Sequence, residues 1–199
     1  GIAISGAHAF VADGFGGLQV IDITVAQSPE IVGSVDTPGF AKGVAVAGAR
    51  VYVADGGAGL QVVDAANPAN PRIIGSLDTP GFAEDVVLLD GCAYVADWDY
   101  GLQAIDITSP EHPRLLGTAP TPDEAHGVAL AGGHAVIADY SFGLQVYDIS
   151  DPRSAQIVGG VDTPVDARGV AISGSHAFIA DISSLQVVDI TDPLDPRPV

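Results

Sequence analysis

The 199-residue chain contains no methionine, one cysteine, one lysine and one tryptophan. The single cysteine, Cys92, excludes an internal disulfide framework, a cysteine-held iron–sulfur cluster and a CxxCH haem site. No apolar run approaches the roughly 18 residues that a membrane-spanning helix needs. Because the chain starts at Gly1 and has no methionine, we expect a signal peptide or an upstream domain to precede it, and an exported, extracellular or cell-surface protein.

Basic residues are also scarce: seven stand against 25 acidic ones, for a formal net charge of −18. Such a surface repels a phosphate backbone, and no basic stripe offsets the repulsion, which argues against a nucleic-acid partner. Catalytic motifs are missing too, since the sequence has no GxSxG elbow, HExxH, P-loop or strand-flanked GxGxxG. We therefore expect no catalytic residues and no enzyme.

A repeat of 42 residues is the strongest signal that the sequence does contain. Five Val/Ile-Ala-Asp triplets end at this spacing, at Asp13, Asp55, Asp97, Asp139 and Asp181. Five copies in register predict one repetitive domain over residues 1–199, or a segment of a larger repetitive domain, which we favour, with repeats 1–42, 43–84, 85–126, 127–168 and 169–199.

Each repeat contains four short extended segments, as in "GVAVAG", "RVYVAD", "GLQVVDA" and "RIIGSLDT" of the second copy. These segments are rich in Val and Ile and are bounded by Gly, Asp, Asn or Pro, which is typical of strands. Four strands per 42 residues predict an all-β protein, a β-propeller of four-stranded antiparallel blades. The fifth repeat stops where its fourth strand should start, so we expect an incomplete last blade and an exposed third strand.

The third segments read "LQVID", "LQVVD", "LQAID", "LQVYD" and "LQVVD", and the copies share "DTPG" and "VAVAG…YVAD" elements. With these words the chain resembles the LVIVD-repeat family, related in pattern to YVTN and NHL propellers. The resemblance implies a β-propeller of bacterial or archaeal cell-surface type, and it implies no particular chemistry.

Two sets of aspartates recur in all five copies: those ending the triplets above, and those closing the third segment at residues 22, 64, 106, 148 and 189. Asp side chains accept hydrogen bonds from nearby backbone N–H groups and so fix turns. We interpret both sets as turn-fixing; one bound ion per blade is the alternative.

The residues that vary between copies concentrate in the turn between the second and third strands. There the chain places Phe15, Trp98, Asp99, Tyr100, Tyr140 and Phe142. Aromatic rings beside carboxylates suit sugar stacking or a protein-binding hot spot. The alternative is that these rings only cap the core between blades.

The blade-to-blade connections end in Lys42, Glu84, His126 and Arg168, which we expect near the mouth of a central channel. Their mixed charges can pair with one another or hold a small anion or a partner's side chain. An enzyme with a site at this channel mouth, around His126, Glu84 and Arg168, is the third hypothesis for the function.

Metal and cofactor sites are not expected. His8, His134 and His176 share a repeat position, but one histidine per blade is too widely spaced to hold one ion. Asp97 and Asp99 are the best calcium candidates, although their loop lacks the ligand number of an EF-hand.

Together these features predict a non-catalytic extracellular module that binds a protein or a glycan through its variable turns. The alternative is a structural module of a larger protein or filament, completed by strand addition at the fifth blade. In that case other domains of the same parent chain or assembly are the partners.

Overall fold

A computed structural model describes residues 1–199 as strands, turns and bends, with no helix. The structure therefore contains no helix that is long and apolar enough to cross a membrane. Twenty strands form five four-stranded sheets, one per repeat, and within each sheet the strand order follows the chain. The predicted all-β class and the propeller-like, four-stranded antiparallel blades are confirmed.

The strand bounds repeat from blade to blade. The first blade contains β1 (Ile2–Ser5), β2 (His8–Ala12), β3 (Leu18–Asp22) and β4 (Glu30–Val35). The second contains β5 (Gly43–Ala47), β6 (Arg50–Ala54), β7 (Leu60–Asp64) and β8 (Arg72–Leu77). The third contains β9 (Asp85–Leu89), β10 (Cys92–Ala96), β11 (Leu102–Asp106) and β12 (Arg114–Ala119). The fourth contains β13 (Ala125–Ala131), β14 (His134–Asp139), β15 (Leu144–Asp148) and β16 (Gln156–Val161). The fifth contains β17 (Ala167–Ser173), β18 (His176–Asp181), β19 (Leu185–Asp189) and β20 (Arg197–Pro198).

The chain divides into two compact units. Unit 1 comprises residues 1–93 and 106–114, and unit 2 comprises residues 94–105 and 115–199. In unit 1, Leu18 and Val20 of the first blade pack with Val44 and Val53 of the second. In unit 2, Leu144 and Val146 of the fourth blade pack with Ile179 of the fifth. Each of these junctions therefore buries apolar side chains from strands of two consecutive blades.

The turn between the second and third strands depends on glycine in four blades. In the second blade, Asp55 N donates to Gly59 O at 2.8 Å, which closes the turn. Gly59 has a φ of +67°, and a Cβ added there would lie 2.3 Å from Leu77 O. Only glycine fits this left-handed position and this close approach to the fourth strand.

The fifth blade is incomplete, as predicted, but its fourth strand is shortened rather than missing. β20 has two residues, against six in each of the other fourth strands. It pairs with β19 at Val188↔Pro198 and Asp189↔Arg197. The expectation of an entirely exposed third strand was therefore wrong for the end of β19, because the sequence "RP" still continues the ladder.

Candidate functional site

We call the connection between the second and third strands of a blade the rim turn, and the connection from one blade to the next the crossover. The two lie side by side in the structure. In each of the first four blades an isolated antiparallel bridge joins the rim turn to the crossover that leaves the same blade: Gly14↔Ala41, Gly56↔Ala83, Trp98↔Ala125 and Tyr140↔Ala167. We call the rim turns and crossovers together the rim. The predicted site residues at these two positions therefore lie on the same edge of their blades.

The aspartates that close the third strands fix turns in all five blades, as the sequence predicts. Each carboxylate accepts a hydrogen bond from the backbone N–H two residues later, at 2.8–3.1 Å. In Asp22, Asp64 and Asp148 this bond is the main cause of a lowered carboxyl pKa. These side chains belong to the frame of the blade and are not candidates for binding.

The aspartates that follow the second strands behave differently, and the turn-fixing prediction is wrong for Asp55 and Asp139. Asp55 accepts from the Thr37 hydroxyl at 2.5 Å and from Gly39 N at 2.9 Å. Both donors belong to the crossover that precedes the second blade, so Asp55 joins consecutive blades. Asp181 does follow the prediction, since it accepts from Ser183 N, within its own rim turn.

Asp139 occupies the same repeat position as Asp55 but lacks half of its hydrogen bonds. One oxygen, Oδ1, accepts from Asp123 N at 3.2 Å, whereas the buried Oδ2 has no hydrogen-bond partner. The nearby Thr121 hydroxyl lowers the carboxyl pKa, yet its oxygen also makes no hydrogen bond of normal geometry. Burial dominates and raises the pKa of Asp139, as it does for Asp55.

At the rim, an aromatic ring lies at each junction between consecutive blades. At some junctions the ring belongs to the crossover, and at others it belongs to the rim turn. Between the first and second blades it comes from the crossover: a Cβ on Gly14 would lie 2.9 Å from the ring of Phe40. Between the second and third blades, a Cβ on Gly56 would lie 2.6 Å from the ring of Phe82. At both places a glycine in the rim turn makes room for the ring.

In the third and fourth blades the aromatic residue is in the rim turn, at Trp98 and Tyr140, and the crossover carries Glu124 and Asp166 instead. Trp98 and Tyr140 adopt the same left-handed conformation as Gly14 and Gly56, with φ of 48° and 32°. This exchange favours the interpretation that Trp98 and Tyr140 cap the contact between blades.

Tyr140 is also the centre of a polar cluster in unit 2. The neighbouring Asp166 carboxylate raises the pKa of the Tyr140 hydroxyl. The Arg168 guanidinium lies 5.4 Å from the centre of the Tyr140 ring, and the His126 ring lies 5.5 Å from it. His126 Nε2 is 3.2 Å from the Glu124 carboxylate. The cluster is internally paired and orients Tyr140.

The tips of the rim turns are exposed. Phe15 in unit 1 is 87% exposed and makes an edge-on contact with Phe40 at 4.8 Å between ring centres. In unit 2, Tyr100 is 48% exposed and Phe142 is 45% exposed. Asp99, next to Tyr100, is exposed as well. These side chains extend beyond the rings that cap the blades, so they are the strongest candidates for contacting a ligand.

The four crossover residues are held within their own units. Lys42 Nζ lies 2.6 and 2.7 Å from the two carboxylate oxygens of Glu84 and 5.2 Å from the centre of the Phe82 ring. His126 and Arg168 contact Tyr140, as described above. Pairing thus accounts for the charges of Lys42 and Glu84 without a bound anion.

The described residues include no group of three or more His, Cys, Asp or Glu side chains arranged to hold a metal ion. Asp97, the calcium candidate beside Asp99, is fully buried.

Sequence reasoning missed the residues that join consecutive blades at the crossovers. Thr37 and the ring-bearing Phe40 and Phe82 were not among the predicted positions. A signal for Thr37 was available: threonines at 37, 79, 121 and 163 precede the triplet aspartates at 55, 97, 139 and 181 by a constant 18 residues. Two polar residues kept at a fixed separation favour a contact between them.

The model of the LVIVD repeat matches five times, over residues 1–37, 38–79, 80–121, 123–163 and 165–197. No curated protein matches the sequence.

Three solved structures are similar to this chain in fold. The computationally designed Ika8 protein has a TM-score of 0.74 at 10% identity, over 96% of this chain and 58% of that one. A functionally unknown protein from Desulfotomaculum acetoxidans DSM 771 has a TM-score of 0.76 at 14% identity, over 94% of this chain and 64% of that one. The computationally designed Ika4 protein has a TM-score of 0.65 at 10% identity, over 79% of this chain and 96% of that one. The chain thus spans about 58% and 64% of the length of the first two. At these identities the likeness shows the fold alone.

Proposed function

This chain belongs to the LVIVD repeat family, and we propose that it is a non-catalytic recognition or assembly module, extracellular or at the cell surface, that binds a protein or a glycan through its rim. The observation that carries the proposal is the exposure of Phe15, Tyr100 and Phe142 at the tips of the rim turns. A repetitive scaffold with a constant frame and changing loop tips is a common way to present a binding surface.

The chemistry of the unit 2 tips suits a ligand with both apolar and polar groups. Tyr100 offers a ring face and a hydroxyl, and the neighbouring Asp99 offers an exposed acceptor. Aromatic rings stack on the apolar faces of sugars and anchor protein interfaces, while a carboxylate accepts hydrogen bonds from hydroxyl or amide donors. The proposal needs no metal and no cofactor. The net charge of −18 supports partners that are neutral or basic.

The experiment compares three variants of the 199-residue chain for binding to immobilised oligosaccharides and to surface proteins of the source cells. A double variant, Tyr100→Ala with Phe142→Ala, should lose binding at least tenfold, because two exposed anchors are truncated. Leu115→Ala is the matched control, since Leu115 is also 45% exposed but lies on the outer strand β12.

Trp98→Ala separates recognition from capping. If Trp98 caps the blades, its loss should lower the thermal stability and leave ligand binding of the folded protein nearly unchanged. Undiminished binding by the Tyr100/Phe142 double variant would contradict the rim proposal.

The fifth blade supports the second candidate, a structural module completed by strand addition. Third strands of the first, second and fourth blades pair with their fourth strands over their full five residues. β19 pairs with β20 only at Val188 and Asp189, with one more bond from Val199 N to Val187 O. Leu185 and Gln186 thus present an open edge to which an extended segment can add. Hydrogen exchange tests this candidate: amide protection in β19 equal to that in β7 would count against it.

A further inference from the structure

The third residue of the second strand is aromatic in every blade except the fourth. It is Phe10, Tyr52, Tyr94 and Phe178 in the other blades and Val136 in the fourth. In the first three blades this aromatic side chain is buried, with 5%, 3% and 3% of it exposed. Phe10 shows where the ring lies, because it packs in the apolar cluster that the first blade forms with the second. The fourth blade therefore lacks a ring that the repeat otherwise places between consecutive blades.

A cleft of about 510 Å³ lies between the fourth and fifth blades at this place. Its apolar lining includes Val136, its β15 partner Val146 and Ile190 of the fifth blade, and all three are buried. The turns at its mouth contain Gly133 and Gly174, and a Cβ added at either glycine would meet nothing within 4 Å. The base of the cleft is thus apolar, and no side chain of these two residues closes its mouth.

The cleft does not arise from a wider gap between the two blades. A Cβ on Gly159 of the fourth blade would lie 2.2 Å from Pro193 O of the fifth. The equivalent Cβ on Gly33 of the first blade would lie 2.2 Å from Pro68 O of the second. The two junctions are therefore equally close, and both blades that line the cleft belong to unit 2. The small side chain of Val136 accounts for the space.

Polar groups surround the mouth of the cleft. They are the exposed Ser175 and Thr191 and the half-buried His134. The Thr191 hydroxyl donates to the Asp189 carboxylate at 2.6 Å, so its oxygen can still accept a hydrogen bond. Asp148 lies opposite His134 in the strand ladder. The carboxylates of Asp148 and Asp189 beside the mouth disfavour an anionic ligand and favour a neutral one.

We propose that this cleft binds a neutral, single-ring aromatic molecule that carries a hydroxyl group, with its ring in the space of the aromatic side chain that the fourth blade lacks. Apolar space left by a smaller side chain in a packed core can bind such a ring. The volume lies in the range of small-ligand pockets, about 300–1,000 Å³. His134 begins β14 and Asp139 ends it, so the cleft lies at the opposite end of this strand from the rim turn. The proposal does not rest on recognition by the rim.

The test titrates the 199-residue chain with p-cresol and follows the backbone amides by NMR. We expect saturable binding with a dissociation constant of about 1 mM or tighter. The shifted amides should include Gly133, Gly174 and Ser175, which line the cleft. Toluene, which lacks the hydroxyl, should bind at least threefold more weakly. Cyclohexanol, which has the hydroxyl but a puckered aliphatic ring, should also bind at least threefold more weakly.

Val136→Phe is the decisive variant, because it supplies the ring that Phe10 supplies in the first blade. It should weaken p-cresol binding at least tenfold and keep the circular dichroism of the wild type. His134→Ala should weaken binding of p-cresol and leave binding of toluene unchanged. Tyr100→Ala, a change at the rim, is the control and should bind p-cresol like the wild type. If Val136→Phe does not fold, the amide shifts of the wild type decide the location of the site.

Several results would overturn the proposal. One is the lack of saturable p-cresol binding to the wild type. Another is a set of shifted amides outside the cleft, for example at the rim turns. Wild-type affinity in a folded Val136→Phe variant would show that the ring does not enter the space beside Val136. Equal affinity for p-cresol and cyclohexanol would refute the aromatic class of the ligand.

Discussion

Asp55 and Asp139 occupy the same position of the repeat, yet we expect replacement by asparagine to have opposite effects at the two sites. Asp55→Asn should destabilise the protein at neutral pH, and Asp139→Asn should stabilise it. The difference follows from the hydrogen bonds. Both oxygens of Asp55 accept a bond, whereas Oδ2 of Asp139 is buried without a partner.

The magnitudes follow from these contacts. In Asp55→Asn an NH2 group replaces one acceptor, so two charge-assisted bonds become neutral ones and the donors must rearrange, at a cost of about 1 kcal/mol. In Asp139→Asn the NH2 group takes the place of the unpaired oxygen, and the bond from Asp123 N is kept. The new group can also donate to the Thr121 hydroxyl. Removing an unsatisfied buried acceptor gains about 1–2 kcal/mol. The two variants should therefore differ by about 2–3 kcal/mol, or roughly 4–12 °C in Tm.

The pH dependence supplies a second signature. Burial raises the pKa of Asp139 above its ordinary value of 3.8, and it raises the pKa of Asp55 in the same direction, so the pH dependence tests the buried charge rather than the difference between the two sites. A raised pKa in the folded state means that this carboxyl favours folding most below pH 3.8 and that its contribution is lost as pH rises through the folded-state pKa. The advantage of Asp139→Asn over the wild type should thus be small in acid and grow toward neutral pH.

Urea unfolding at pH values below and above this range measures both effects, with Asp99→Asn as the control because Asp99 is exposed. Equal destabilisation by Asp55→Asn and Asp139→Asn at neutral pH would refute the reasoning. An advantage of Asp139→Asn that does not change with pH would show that the buried charge is not its source.

Two further predictions concern the rim. Gly56→Ala should lower the free energy of unfolding by about 2 kcal/mol, because φ is +56° and the new Cβ would lie 2.6 Å from the Phe82 ring. In a Phe82→Ala background the loss should fall to about 1 kcal/mol. Additive effects of the two changes in a urea double-mutant cycle would argue against the contact. Lys42→Met should lower the free energy of unfolding by about 1 kcal/mol at low ionic strength, because the methionine keeps the apolar stem over Phe82 but loses the ion pair with Glu84. This loss of stability should shrink in about 1 M salt. A loss that does not depend on salt would assign the effect to packing.

Much of the blade could be predicted from local patterns. The 42-residue spacing, the Val- and Ile-rich segments and the turn residues indicated four strands per repeat, and the third-strand aspartates were correctly assigned to turns. These features depend on neighbouring residues, such as Asp22 and the Thr24 N–H that it accepts from. Short-range chemistry of this kind can be read from the sequence directly. The partial fourth strand of the fifth blade could not be predicted from the sequence, because two residues pair only when the preceding strand is in place.

The rim could be located from the sequence but not divided into its parts. Variation between copies identified Trp98, Tyr100, Tyr140 and Phe142 as one aromatic group. The structure separates them, because Tyr140 is held by Asp166 and Arg168 while Phe142 extends outward. Which ring packs and which is exposed depends on the distance to the next blade, and a single repeat carries no information about that distance.

The sequence by itself determined the repeat, the strand order within each blade and the turns, since these follow from the preferences of residues close together in the chain. Only the tertiary structure decided that Asp55 joins two blades, that Asp139 is left with an unpaired buried oxygen, and that Leu185 is exposed where Leu18 is buried. The physical reason is that burial and hydrogen-bond satisfaction are set by the neighbouring blade. Identical residues therefore have different energies at the end of the array and in its interior.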